Sequence, residues 1–238
     1  MDDLPDDRGY AAGIWKEGRK VKGIFLDYTG TITQEGGPDV AALLGRLCAG
    51  SNCKDMKWLL NEWWRLVKLY ENQSYKEDYM TEDEIVDLIL HKWEDEIELK
   101  ENLKELHGLC QKYWMYAPVY SDALEFFERC PLPIYVVTNN GSKYVEVCME
   151  QNGLHPAGII CGDMVRAYKP HRELFEEALR VSGFMPKEVV HIGDSVASDV
   201  EGARAAGIRP VFLNRSKAEV SEGIESVGSL LEALELIL

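Results

Sequence analysis

Four short segments carry side chains whose types and spacing could do chemistry together. Asp27 closes the apolar run Val21-Lys22-Gly23-Ile24-Phe25-Leu26 and is followed at once by Tyr28-Thr29-Gly30-Thr31. Thr138-Asn139-Asn140 closes the run Ile134-Tyr135-Val136-Val137, Lys169-Pro170 lies in the loop after a third run, and Gly193-Asp194-Ser195 closes a fourth, with Asp199 shortly after. The inventory is a carboxylate beside a glycine that lets the backbone approach, a hydroxyl, an ammonium and two further acids. Each segment alone has a plainer explanation. A strand-end Asp, Thr-Asn or Gly-Asp-Ser is commonly a turn or helix cap, and a Lys-Pro is commonly a loop. Their joint occurrence, each at or after a strand end, argues for one crevice. Close carboxylates such as Asp27 and Asp194 repel unless a cation sits between them. Hard oxygen donors without Cys or His point to Mg2+, which binds through one or two carboxylates plus substrate phosphate. A cation there would let the Asp27 anion attack an anionic ester. Thr138 and Lys169 would hold the remaining phosphoryl oxygens, with Thr31 and Asn139 beside them as further phosphate-binding candidates.

The elements that must position these groups can be read from periodicity. Strands are predicted at about 21–27, 133–137, 157–161, 189–193 and 210–213, and helices at about 121–129, 142–152, 171–182, 198–206 and 226–237. Strands separated by helices imply a doubly wound α/β fold, a Rossmann-like parallel sheet with helices on both faces. Ligands bind at the strand tips of such sheets. Residues 35–116 break this alternation. Trp58, Leu59, Trp63, Leu66, Val67 and Tyr70 recur at helical spacing, Thr81-Glu82-Asp83-Glu84 has a capping-box pattern, and Glu98 to Met115 gives another helix. The expected organisation is a tail at 1–20, a core formed by 21–34 and 117–238, and an all-helical cap at 35–116. An insert leaving just after the first strand sits above the strand tips, where a lid would exclude water.

Composition narrows the partners. The chain has 238 residues, 46% hydrophobic and 28% charged, with a formal net charge of −15. Such a surface repels nucleic acid and anionic membranes. No apolar stretch approaches bilayer length, and the acidic Met1-Asp2-Asp3-Leu4-Pro5-Asp6-Asp7 is no secretory signal. The six cysteines show no Cys-x-x-Cys spacing, which disfavours zinc and suits reduced thiols in a cytoplasmic protein, monomer or homodimer. The five histidines show no ligand spacing, and His191 lies inside a predicted strand as a packing residue. The stripe Trp58, Trp63, Trp64 and Tyr70 reads as cap core or a dimer surface rather than a substrate box.

These motifs resemble those of the haloacid dehalogenase (HAD) superfamily of hydrolases. The family shows an Asp nucleophile in an Asp-x-Asp-x-Thr loop, a Ser or Thr after the second core strand, a Lys before a helix, and a final acidic pair. Asp27 with Thr31, Thr138, Lys169, and Asp194 with Asp199 match these in order, and residues 191–207 resemble the final motif nearly throughout. The resemblance implies a phosphomonoesterase that acts on a small phosphorylated metabolite through an aspartyl-phosphate. Its Mg2+ would be held by Asp27, Asp194, Asp199 and the backbone carbonyl of Thr29. One position departs from the pattern. The family's phosphatases carry a second Asp, the acid/base group, where this chain has Thr29, and a hydroxyl is no general acid near pH 7. The loop then suits slow turnover or good leaving groups. The alternatives are a phosphonatase-like C–P hydrolase using a cap lysine, Lys54 or Lys57, or a catalytically weak phospholigand-binding member. A replacement acid would sit in the cap, with Glu35, Lys54 and Lys57 the candidates by sequence position.

Overall fold

The computed structural model describes residues 20–238, so the tail expected at 1–20 lies, apart from Lys20, outside the described residues. Strands β1 (Gly23–Leu26), β2 (Ile134–Thr138), β3 (Gly158–Cys161), β4 (Val189–Gly193), β5 (Arg209–Leu213) and β6 (Ser226–Val227) form one sheet in the order β3-β2-β1-β4-β5-β6. Every pairing is parallel. Parallel strands must be joined by crossovers, and the intervening segments supply helices for them. The chain winds outward in both directions from β1 and β4, so the order reverses between these two strands, and a crevice opens there at their C-terminal ends.

Side-chain alternation along the strands makes two cores. Ile24 and Leu26 of β1 point into one, with Val136, Val190, Ile192 and Val211. Phe25 points into the other, with Val137, Ile160 and Val189. The first is covered by α5 (Ser121–Arg129), α6 (Ser142–Gln151) and α9 (Leu230–Ile237), the second by α7 (Arg172–Ser182) and α8 (Glu201–Ala205). The expected doubly wound α/β architecture is therefore present. Two details differ. The segment expected to open the last helix instead forms β6, because Ser226–Val227 pairs with the exposed edge of β5 before α9 begins. The helix expected at 198–206 starts as an underwound π turn over Val196–Val200, a distortion that recurs at functional sites.

Between β1 and β2 run α1 (Pro38–Gly50), α2 (Met56–Gln73), α3 (Glu82–Glu96) and α4 (Leu103–Tyr116). They bury a third apolar cluster of their own around Leu47, Leu59, Leu66, Ile89 and Trp93. Asp55 caps α2 by accepting from the N–H groups of Lys57 and Trp58. Thr81 and Glu84 form the expected reciprocal capping box at α3. This cap fixes the first turn of α3, which faces the loop after β2.

Candidate active site

The tip of β1 ends in Asp27, buried to 6% exposure. Its Oδ1 accepts from the Lys169 ammonium at 2.5 Å, and the same nitrogen donates to Asp199 Oδ1 at 2.7 Å. Asp199 is held from two further sides: His191 Nε2 lies 2.9 Å from the same oxygen, and the Ser195 N–H donates to Oδ2 at 3.0 Å. The π turn is what swings Asp199 back toward the tip of β4. His191 is fully buried and packs edge-on against Phe175.

Asp194 sits opposite. Oxygen atoms of Asp27, Asp194 and Asp199 lie within 4.8 Å of one another. Gly30 makes this approach possible. Its φ is +82°, and a Cβ there would stand 2.1 Å from Asp194 Oδ2. Burial, then repulsion from Asp27 and Asp199, pushes the Asp194 carboxyl up to about 8. Burial also raises Asp27 against the pull of Lys169. Asp199 goes the other way: Lys169 and His191 overcome its burial and hold it well below the usual carboxylate range. The cost of burying Lys169 is likewise outweighed by Asp199 and Asp27, which raise its pKa.

The loop after β2 forms the second wall. The Thr29 hydroxyl donates to Asn140 Oδ1 at 2.9 Å, and Thr138 Oγ1 donates to the same oxygen at 3.2 Å. Asn139 Oδ1 accepts from the Lys169 N–H at 2.8 Å, which ties this loop to the lysine's. Asn139 Nδ2 donates to Glu71 of α2 at 3.1 Å. Glu82 of α3 accepts from Asn140 Nδ2 and from the Gly141 N–H. Burial raises both glutamates, Glu71 to about 7 and Glu82 well above the ordinary range.

A cavity of about 930 Å3 joins these groups. Its floor is the strand tips, and its roof is largely apolar, with Leu43, Leu47, Trp63, Trp64, Ile85 and Trp114 from α1 to α4, interrupted by Lys68, Glu71 and Glu82. Of the residues singled out by sequence, Asp27, Thr29, Thr138, Asn139, Lys169, Asp194 and Asp199 all line it. Thr31 does not; it is fully buried, and its hydroxyl has no partner. Lys54 and Lys57 are exposed and absent from the cavity wall, and the Lys54 ammonium is spent on the carbonyls of Cys48 and Ser51 at the end of α1. Glu35 lines the cavity but is exposed. The tryptophan stripe divides. Trp58 is 43% exposed, whereas Trp63 and Tyr70 pack on the cap's apolar cluster as expected; Trp63 and Trp64 also line the cavity.

Among the cavity residues that the sequence did not single out are Glu71, Glu82 and Arg215. Glu71 interrupts the apolar stripe of α2, four residues after Val67, and an acid on such a face was the available signal. Glu82 was absorbed into the capping pattern. Arg215 is remote in sequence. It donates to the carbonyls of Gly30 and Thr31, grips Asp122 through both terminal nitrogens, and lies 3.8 Å above the Tyr120 ring. It fixes the loop that carries Thr29 and Gly30.

Comparison with known proteins agrees with this geometry. The family model for haloacid dehalogenase-like hydrolases matches residues 21–207, and the chain belongs to that family. It is 32% identical over 124 residues to a phosphoglycolate phosphatase of Chromobacterium violaceum, covering 50% of this chain and 55% of the relative. It is also 32% identical over 103 residues to a phosphoserine phosphatase of Thermus thermophilus, covering 41% of each. The chain thus spans about half the length of the curated relatives it matches. The fold is shared with the magnesium-bound HAD-hydrolase YfnB from Bacillus subtilis (TM-score 0.75, 18% identity, 92% of this chain and 99% of that one). It is shared equally with an L-2-haloacid dehalogenase from Xanthobacter autotrophicus (TM-score 0.74, 16% identity, 91% and 98%).

Proposed function

We propose that this protein is a Mg2+-dependent phosphatase acting on a small phosphomonoester with an apolar body, with the helical insert serving as its cap. The observation that carries this reading is the Asp27 carboxylate, bonded to Lys169 and clustered with Asp194 at the floor of a roofed cavity. The names of the matched relatives favour phosphate esters over other HAD chemistry.

The donor set fits magnesium. Asp27, Asp194 and the Thr29 carbonyl are hard oxygens, and the clustering of the Asp27, Asp194 and Asp199 carboxylates gathers negative charge that a cation would offset. Asp199 differs from the sequence expectation in emphasis. Both of its oxygens are engaged by Lys169, His191 and Ser195, so its part is to hold the lysine. Bound magnesium would neutralise phosphate charge beside the carboxylates. The chain's own groups do the rest. Asp27 attacks phosphorus and forms an aspartyl-phosphate, while Lys169, Thr138 and Asn139 orient the phosphoryl oxygens. The helical roof excludes water during that step. Its apolar lining, with Lys68 and Arg215 its remaining cations, suits a hydrophobic leaving group better than a second anionic one.

The imine route is less well supported. Lys54 and Lys57 lie outside the cavity, and Lys68 at its rim is exposed, whereas Schiff-base lysines are desolvated. The deciding experiment is a screen of phosphate monoesters, with and without Mg2+ and EDTA. Metal-dependent phosphate release is expected, fastest with apolar esters. Absence of release from every ester would leave the phospholigand-binding reading.

A further inference from the structure

We infer that Glu71 of α2 is the general acid and base of this site, standing in for the carboxylate that position 29 lacks. The inference rests on the phosphatase reading above and deepens it.

The geometry leaves Glu71 one carboxylate oxygen without a hydrogen-bond partner, on the wall of the cavity that holds Asp27. Its side chain lines the cavity that holds Asp27, Thr138, Lys169 and Asp194. Among the described residues, its one hydrogen bond is the 3.1 Å contact accepted by Oε1 from Asn139. Oε2 accepts from no described residue. Asn139 is anchored in turn by the Lys169 N–H, so Glu71 is held in fixed relation to the lysine that grips the nucleophile. The alternatives are worse placed. Thr29 spends its hydroxyl proton on Asn140. Glu82 has both oxygens occupied, by Asn140 and by Gly141. Glu35 is exposed.

The electrostatics agree. The charged groups that act on Glu71 are Lys68 on its own helix, Lys169 and Asp27 across the cavity, and Glu82 on α3. Burial outweighs the two lysines and the Asn139 contact, and the carboxyl is pushed up to about 7. A general acid works best when its pKa lies near the working pH.

The proton balance closes. In the first step the Asp27–phosphorus bond forms as the phosphorus–ester oxygen bond breaks. The Glu71 proton goes to that ester oxygen, and the alcohol leaves neutral. In the second step the Glu71 carboxylate takes a proton from water as the water oxygen attacks phosphorus. Inorganic phosphate and the Asp27 carboxylate are released, and Glu71 is again protonated.

The test is Glu71→Gln, assayed with Mg2+ on 2-phenylethyl phosphate and on p-nitrophenyl phosphate. Glutamine keeps an acceptor for Asn139, so a merely structural role would be preserved. The expected result is a fall in kcat of roughly 10²–10⁴-fold on the alkyl ester, and a far smaller fall in the first step on the aryl ester, whose leaving group needs little protonation. Wild-type turnover of the alkyl ester should decline as pH rises through about 7, and Glu71→Gln should lose that limb. Adding Thr29→Asp to Glu71→Gln should restore part of the lost rate. Equal losses in the first step on both esters, or no loss on either, would overturn the assignment, as would a wild-type profile on the alkyl ester with no limb near 7. That last measurement needs no variant to fold. Wild-type protein inert toward both esters would instead remove the phosphatase reading, and this inference with it.

Discussion

At the residue scale, Asp27 and Gly30 carry the sharpest expectations. Asp27→Asn is nearly isosteric and leaves Lys169 its bond to Asp199. Turnover should vanish while far-ultraviolet circular dichroism stays unchanged; residual full activity would exclude a covalent Asp27 intermediate. Gly30→Ala places a methyl group on Asp194 Oδ2 and forces a φ of +82° on an L-residue. The backbone alone costs about 1–2 kcal/mol, and Asp194 must move. Calorimetry should show Mg2+ affinity lost in that variant, and an unchanged affinity would dissociate Asp194 from the metal. Both residues were legible because the proposed nucleophile, the glycine and the threonine are chain neighbours, and the local pattern suggests the chemistry. The same reading placed Thr31 in the site, since a sequence cannot show that its side chain turns inward at the loop's base. Glu71 could be noticed as an acid on an apolar face, but its place beside the β2 loop could not be read, because α2 and that loop meet only in space.

At the element scale, α3 is clamped to the sheet-side helix α6 through Asp83. Its oxygens accept from Tyr144 at 2.6 Å, from Gln111 at 2.9 Å and from Lys143 at 2.7 Å, and His107 lies at 2.7 Å. Despite some desolvation, Lys143, Tyr144, Gln111 and His107 hold Asp83 well below the usual carboxylate range. A depressed acid stabilises the fold above its unfolded pKa, ~3.9, and the contribution is lost as pH falls through the lower folded value. His107 behaves oppositely. Asp87 and Asp83 raise its pKa against desolvation, so its contribution is complete below ~6.5 and fades as pH rises through the raised value. The clamp is therefore tightest between roughly pH 4 and 6.5. Asp83→Asn should lower Tm most within that window, by the equivalent of about 1 kcal/mol after allowance for solvent screening. His107→Gln should affect only the neutral and acid side. Equal effects of both variants at pH 8 would refute the clamp. Elements of this kind were legible as helices and strands, because periodicity and caps are local. The pairing of β6 and the π turn were not, since the first answers a free sheet edge and the second serves the bonds of Asp199.

At the scale of the whole molecule, charge and topology set the behaviour. Among the described residues no helix is long and apolar enough to cross a membrane. The net charge of −15 opposes an anionic substrate, and the cavity wall itself carries six carboxyl groups against Lys68, Lys169 and Arg215. Raising ionic strength from about 0.01 to 0.15 M shortens the screening length from about 30 to 8 Å. At saturating Mg2+, KM for a phosphate dianion should fall severalfold over that range; a rise would mean that local cations dominate the approach. The order of the sheet has a kinetic counterpart. β1, central in the sheet, pairs with β2 only across the entire four-helix insert. Closing that contact costs loop entropy that few earlier contacts repay, whereas the insert buries its cluster from nearby segments. A nascent chain thus carries β1 as an unpaired apolar strand until β2 and β4 emerge, and the helices that later roof the site are the first part of the molecule able to fold around it.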